Sequence, residues 1–113
     1  MKIRKFNESI HTLDYESVDF FDLVVERLKP YKGYAVFHIE KEDQYCQIFK
    51  FNTKEKFDKE FSITKHPSYP GNMVYPNNVK EEFGSTDTCI IDGQEFTIDL
   101  SSLYLVIDGK LMR

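Results

Sequence analysis

The side chains in this sequence that are most able to do chemistry are imidazoles and thiols: His11, His38, His66, Cys46 and Cys89. A cysteine nucleophile needs a histidine within reach and surroundings that lower the thiol pKa. Cys46 and Cys89 both fall inside strand-like runs, where a free cysteine usually behaves as a small buried apolar side chain. The sequence therefore favours structural roles for both thiols, and we predict no catalytic residue.

Two of the histidines have informative neighbours. His38 stands among apolar residues in a strand-like run, which is typical of a hydrogen-bonded structural imidazole. His66 precedes Pro67, and a residue before proline prefers extended backbone, so we expect His66 to be accessible. A histidine that acts as a general base also needs an acidic group to orient it, and the sequence alone identifies no such partner.

The short motifs of common metal, cofactor and nucleophile sites are absent. The sequence contains no GxxxxGK[ST], GxGxxG, HExxH, CxxC or GxSxG pattern. Cys46 and Cys89 are also too far apart along the chain to supply the close cysteine pair of a typical zinc site. We therefore expect no metal and no cofactor, and these observations lean against an enzyme.

Residues 65–78, KHPSYPGNMVYPNN, hold three of the four prolines. Each proline restricts one backbone angle, so a loop here would follow a restricted path and bind at a lower entropic cost. Tyrosine and methionine are suited to contact surfaces. The binding residues predicted in this stretch are Tyr69, Met73, Tyr75, His66 and Asn72. An alternative left open is that the apolar members tuck the loop over a sheet.

Between Lys80 and Lys110 every charged residue is acidic. Such a concentration can steer a basic protein partner. We predict an acidic binding face that includes Glu81, Glu82, Asp87, Glu95 and Asp99. The alternative is that the carboxylates are turn residues and ordinary solvated side chains.

Net charge and hydropathy argue against two other classes of partner. The net charge is -4 and the pI about 5.3, which disfavours direct binding to the phosphates of nucleic acids. No run approaches the roughly 18 apolar residues of a membrane span, and the N-terminus has no apolar signal-peptide core. We expect a cytoplasmic protein without membrane association.

One helix and several strands are predicted to position these residues. Apolar residues recur at helical spacing in ESVDFFDLVVERLKPYKG, and Ser17 is a suitable N-cap, so we predict a long helix over about 17–29. YAVFHIEKEDQYCQIFKFN predicts a hairpin whose strands are apolar on both faces and therefore central in a sheet. A short helix is predicted from about 54 to 60.

Two Asp-Gly pairs in the C-terminal third, Asp92-Gly93 and Asp108-Gly109, predict two-residue hairpin turns. With the first turn in place, one strand face carries Cys89, Ile91, Phe96 and Ile98. The final strand is predicted to be short and at an edge. The resulting fold class is α+β: an antiparallel sheet of five or six strands, with the long helix packed on a face in two layers. A chain of 113 residues fits a single domain, 1–113.

The opening MKIRKFNES resembles the starts of many small proteins encoded by tailed phages. The resemblance covers residues 1–9 and carries no functional residue. The absent catalytic motifs, the acidic run and the restricted aromatic stretch lead us to expect a small cytoplasmic protein-interaction module. The resemblance adds the expectation of a virus-encoded inhibitor or accessory protein. One alternative is a nucleotide- or metabolite-binding domain or small enzyme with a pocket near residues 65–78. Another is a structural component of an assembly, joined by strand addition at the C-terminal edge, and self-association is left open.

Overall fold

The computed structural model describes residues 14–40, 45–65, 72–83 and 86–112, which contain far more strand than helix. The strands are β1 (Asp14–Asp19), β2 (Tyr34–Glu40), β3 (Tyr45–Phe51), β4 (Phe61–Lys65), β5 (Asn72–Pro76), β6 (Val79–Phe83), β7 (Thr86–Ile91), β8 (Gln94–Asp99), β9 (Leu103–Ile107) and β10 (Lys110–Met112). The helices are α1 (Phe21–Leu28) and α2 (Lys54–Glu60), and Leu100–Ser102 forms a short 3-10 helix.

The described strands form three sheets. The largest has five strands in the order β1-β3-β2-β9-β10, so β1 and β10 are its edges. β4 and β5 form a two-stranded ribbon, and β6, β7 and β8 form a three-stranded sheet. All of these strand pairs are antiparallel, which confirms the predicted type of pairing.

The predicted long helix over 17–29, packed on a single sheet in two layers, is wrong. Residues 14–19 are strand β1, and Ser17 lies opposite Gln47 of β3 instead of capping a helix. The helix that follows has only 8 residues. The α+β class with one dominant helix is therefore replaced by a mostly β fold with two short helices.

Long-range packing explains why β1 is not helical. Tyr15 of β1 stacks on Phe49 of β3, with ring centroids 5.6 Å apart, and it also meets Phe96 of β8 at 5.1 Å. These contacts join residues far apart in the sequence. Helical spacing of apolar residues is a local pattern, and tertiary packing of this kind commonly overrides local propensity.

The five-stranded sheet is covered on both faces. On one face, α1 packs in a cluster of Val24, Leu28, Ala35, Phe37, Cys46, Ile48 and Val106. On the other face, α2 and the two smaller sheets contribute to a cluster of Val36, Phe49, Phe51, Phe57, Phe61, Val74, Cys89, Ile91, Phe96, Ile98 and Leu105. The central position predicted for β2 and β3 is thereby confirmed.

Both Asp-Gly pairs form the predicted hairpin turns. The φ angles are 50° and 81° at Asp92 and Gly93, and 50° and 83° at Asp108 and Gly109, as a type I′ turn requires. The face predicted for the first hairpin is also confirmed, because its four members are buried: Cys89, Ile91, Phe96 and Ile98. The last strand, β10, is a short edge strand as expected.

The β9–β10 turn is docked on the chain that follows α1. The Gly33 N–H donates to Asp108 Oδ1 at 2.9 Å, and the Asp108 N–H donates to the Gly33 carbonyl at 2.9 Å. A Cβ atom at Gly109 would lie 2.2 Å from the Lys29 carbonyl oxygen. Only glycine therefore permits this close approach.

Helix α2 spans 54–60 as predicted, and polar side chains cap both of its ends. Thr53 Oγ1 accepts a hydrogen bond from the Lys56 N–H at 3.2 Å. At the other end, Asn77 Nδ2 donates to the carbonyl oxygens of Asp58 and Lys59. Because Asn77 follows β5, these bonds also fix the ribbon against α2.

Candidate functional site

The half of residues 65–78 that the structure describes is mainly strand. The predicted binding residues divide into His66 and Tyr69, which lie outside the described residues, and Asn72, Met73 and Tyr75, which lie on β5. β5 pairs with β4 along its whole length, and Pro76, one of the prolines that suggested a loop, is the last residue of β5. The binding role of these residues stays a prediction.

Met73 and Tyr75 share the outward face of the β4–β5 ribbon. Tyr75 is 36% exposed, and its hydroxyl donates to Met73 Sδ at 3.6 Å. The intervening Val74 points inward and is buried. The alternation places a small contact surface of aromatic and thioether groups on the ribbon.

Two of the predicted acidic residues are buried. Asp87 is 7% exposed and Asp99 is 9% exposed. The Asp99 carboxylate accepts from the Ser101 N–H at 3.0 Å and from the Ser101 hydroxyl at 2.5 Å, so it caps the 3-10 helix. Asp99 thus has a local structural role that the run of acidic residues in the sequence did not indicate.

The remaining predicted acids lie on the three-stranded sheet. Glu95 of β8 forms an ion pair with Lys80 of β6 at 2.6 Å, and both side chains are about half exposed. Glu81 is exposed on β6, and Glu82 lies on the same strand, although its side chain is outside the description. Lys80 borders the acidic run in sequence and pairs with one of its members, Glu95. The acidic binding face stays a prediction.

Both thiols are buried and unpaired in disulfides. Burial raises the pKa of the Cys46 thiol. Burial, with a smaller contribution from the nearby Asp87 charge, raises the pKa of Cys89 to about 11. The thiolate is the nucleophilic form, so these surroundings oppose reactivity and favour the structural roles predicted for both residues.

His38 has the structural role predicted for it. The imidazole is fully buried, and Nε2 is hydrogen-bonded to Gln47 Oε1. Gln47 Nε2 donates in turn to the Tyr15 hydroxyl at 3.2 Å. This chain of polar groups crosses β2, β3 and β1 within the sheet. Within the described ranges, no three histidine, cysteine or carboxylate side chains are grouped so that they could hold a metal ion.

The most prominent exposed apolar side chains surround the junction of β1 and α1. Phe20 is 58% exposed and Leu23 is 54% exposed. Beside them, an open cavity of about 330 Å³ is lined by Val18, Leu23, Glu26 and Arg27. We call this region the β1–α1 surface, defined by Val18, Phe20, Leu23, Glu26 and Arg27.

Phe20 has a strained backbone. Its φ and ψ angles are 67° and 136°, in a region that residues with a side chain rarely occupy. It precedes the first residue of α1 and gives that helix no side-chain cap. Conformations of this kind cost about 1–3 kcal/mol and are concentrated at functional sites. The strain holds a large apolar side chain at the surface.

Within the part of the chain that the structure describes, β1 is an edge strand next to the β1–α1 surface. It pairs with β3 on one side, and no described strand pairs with its other side. Edge strands expose backbone N–H and C=O groups that can pair with another chain. The edge is held in place by Glu16, whose carboxylate lies 3.0 Å from Arg27 Nη2 and 3.0 Å from Lys50 Nζ.

The sequence interpretation missed the β1–α1 surface. The helical stripe used to predict the first helix contains Phe21, Val24 and Leu28, and Leu23 points away from it. The signal in the sequence that could have indicated this surface is the presence of apolar residues outside the buried helical stripe. Their exposure depends on the strand that replaces the first turns of the predicted helix, which the local pattern did not reveal.

The fold and this surface define a class of protein: a mostly β domain in which, among the described residues, the largest sheet ends in a six-residue strand beside exposed apolar side chains. The chain matches no protein family model, no curated protein and no solved structure. In the described residues, no helix has the length and apolar character needed to cross a membrane.

Proposed function

We propose that this protein is a small protein-interaction module and that its partner binds at the β1–α1 surface. One observation carries the proposal: Phe20 is 58% exposed at a strained backbone position. A residue that is both conformationally costly and apolar at the surface contributes little to the stability of the isolated chain. Binding gives it a physical reason to be there.

A partner that covers Phe20 and Leu23 would gain from burying them. Completing the burial of each side chain contributes about 1 kcal/mol to association. Aromatic anchors of this kind are typical of the residues that dominate binding energy in protein interfaces. The Glu16–Arg27 ion pair at 3.0 Å fixes α1 against β1, so the surface needs little rearrangement to bind.

The ribbon face with Met73 and Tyr75 is the competing location for the same function. Tyr75 is less exposed than Phe20, at 36% against 58%, and its strand has ordinary backbone geometry. We therefore rank the ribbon second. The expected cytoplasmic location belongs to the same proposal, and two unpaired buried cysteines suit a reducing compartment. Within this function, the specific role that we propose is that of a virus-encoded inhibitor.

Affinity capture from host extract, with matched variants, tests the location of binding. The Phe20→Gly/Leu23→Ser double variant removes the β1–α1 anchors, and Met73→Ala/Tyr75→Ala removes the ribbon anchors. Ile63→Ser is the control, because Ile63 is 41% exposed elsewhere, on β4. We expect a protein that wild type, the control and the ribbon variant retain and the β1–α1 variant loses. Loss confined to the ribbon variant, or equal retention by all four proteins, would overturn the assignment.

A further inference from the structure

We propose that the partner supplies an extended, basic segment that joins the five-stranded sheet as a sixth strand beside β1. This inference rests on the proposed function and adds the geometry and charge of the bound segment. Its evidence comes from a comparison of the two sheet edges, from the charges along β1 and from the cavity beneath Leu23.

The two edges of the five-stranded sheet are not equivalent. β1 offers six residues, whereas β10 offers three and begins with the exposed Lys110. A short edge with a lysine is a common protection against unwanted pairing. β1 is long enough for several main-chain hydrogen bonds, the source of affinity in strand addition. The C-terminal edge at β10, which the sequence analysis gave as one alternative for strand addition, is therefore the less suitable one.

The charges beside β1 select a basic segment. Asp19 ends the strand and Asp22 lies in the first turn of α1, and both side chains are exposed. Neither forms an ion pair within the part of the chain that the structure describes. Lysine or arginine on an added strand would lie close to these carboxylates. Opposite charges on adjacent strands stabilise their pairing.

The acidic residues at the two ends of β1 disfavour a second copy of this chain as the added strand. In an antiparallel β1–β1 pair centred between Glu16 and Ser17, Asp14 of one copy would lie opposite Asp19 of the other. Like charges directly opposite each other destabilise a strand pair. The available bases do not relieve this repulsion, because Arg27 and Lys50 are both engaged by Glu16.

The cavity indicates an apolar residue within the basic segment. Val18 points toward α1, and the cavity lies between it and Leu23, Glu26 and Arg27. Side chains of an added strand alternate between the two faces of the sheet. A side chain on the α1 face would therefore meet the cavity, with its basic neighbours placed on the other face. The expected segment alternates basic and apolar residues.

Synthetic peptides test this geometry directly on the full-length chain. The probes are a blocked KVKVKVK heptapeptide, its EVEVEVE counterpart and a KVKVKVK peptide with alternate N-methylated amides. Titration followed by amide NMR and hydrogen exchange gives both affinity and location. We expect only the unmethylated basic peptide to bind, with shift changes and exchange protection concentrated at residues 14–19. Equal binding of the N-methylated peptide, or changes that leave β1 unaffected, would overturn strand addition.

Charge reversal provides the matched control. Asp19→Lys should weaken KVKVKVK binding about fivefold, the size expected when an attractive surface pair becomes repulsive. Glu55→Lys makes the same change in net charge at an exposed position of α2, outside every predicted binding site, and should leave the affinity unchanged. Equal loss in both variants would reduce the effect to overall charge and overturn the basic assignment. If light scattering showed a dimer and hydrogen exchange showed protected β1 amides without peptide, the added strand would come from a second copy of this chain, and the basic segment would be refuted.

The two proposals fail separately. Loss of partner capture by the Phe20→Gly/Leu23→Ser variant, together with no peptide binding at β1, would keep the interaction surface and remove the added strand. Peptide binding at β1, together with capture that is unaffected by that variant, would keep the strand site and remove the apolar anchors.

Discussion

Glu16 and Arg27 join the edge strand to the first helix: Arg27 Nη2 lies 3.0 Å from Glu16 Oε2. The other carboxylate oxygen of Glu16 lies 3.0 Å from Lys50 Nζ on β3. One carboxylate thus connects β1, β3 and α1. The bridge adds a polar connection to the apolar packing of Val24 and Leu28, which holds α1 on the sheet.

Glu16→Gln should lower the free energy of unfolding by about 1 kcal/mol, because both cations lose their counter-charge while remaining partly buried. Urea unfolding at low and high salt is the measurement, and the loss should shrink as salt screens the ion pairs. Lys54→Gln is the control. It breaks the exposed Lys54–Asp58 pair within α2, and because solvent screens that pair, the loss should be smaller than for Glu16→Gln. Equal costs for the two variants would contradict a special role for Glu16.

Phe20→Gly should stabilise the chain by about 1 kcal/mol. Glycine occupies positive φ without strain, and this gain exceeds its extra entropy in the unfolded state. Chemical denaturation gives the change in the free energy of unfolding. Phe20→Ala serves as the comparison, because alanine retains the Cβ and therefore the strain. If the alanine variant were the more stable of the two, backbone strain at Phe20 would be refuted.

Gly109→Ala should be much more disruptive than Gly93→Ala. Both glycines have φ near +80°, so each substitution costs about 1–2 kcal/mol in backbone strain. At Gly93 no atom lies within 4 Å of the added Cβ, whereas at Gly109 the Lys29 carbonyl oxygen lies at 2.2 Å. Differential scanning calorimetry of the two variants should show the larger drop in Tm for Gly109→Ala. Similar drops would mean that the β9–β10 turn is not docked on Lys29.

Cys89 should make stability fall at high pH. Its native pKa of about 11 lies above the ordinary value of 9.0, so the folded state holds the thiol proton more tightly. Between these two values the unfolded state binds fewer protons, and the free energy of unfolding therefore decreases as pH rises. The contribution is complete below pH 9. Urea unfolding between pH 8 and 11 should show a shallower decline for Cys89→Ala than for wild type.

A substitution at the surface provides the control for that experiment. Lys110→Gln removes an exposed base on β10 and should leave the decline as steep as in wild type. A Cys89→Ala variant with an unaltered slope would show that another group causes the loss of stability.

The hairpins were predictable because their signals are local. Asp92-Gly93 and Asp108-Gly109 form turns because of the backbone angles that these residues themselves prefer. Once the first turn is placed, the alternating positions of Cys89, Ile91, Phe96 and Ile98 determine which face of the hairpin is buried. The apolar residues on both faces of β2 and β3 likewise indicated that these strands lie inside the sheet. These features needed no knowledge of distant contacts.

The first helix was predicted incorrectly because the contacts that favour a strand at residues 14–19 are made with residues far away in the sequence. Ser17 and the apolar residues after it satisfy a helical pattern, but β1 gains a full ladder with β3 and the Tyr15–Phe49 stack. The strained, exposed Phe20 is a consequence of the sharp change from strand to helix. Sequence spacing does not show where such a junction falls, and the β1–α1 surface was missed for the same reason.

Strand β2 lies between β3 and β9, and these neighbours are very different distances away along the chain. β3 begins a few residues after β2 ends. By contrast, Val106 of β9, which pairs with Ala35 of β2, lies near the C-terminal end of the sequence. During synthesis, β2 is therefore an unprotected apolar edge until Leu103–Ile107 has emerged from the ribosome. The growing chain depends on late residues to cover this apolar strand, and conditions that slow translation between β3 and β9 should lower the yield of folded protein.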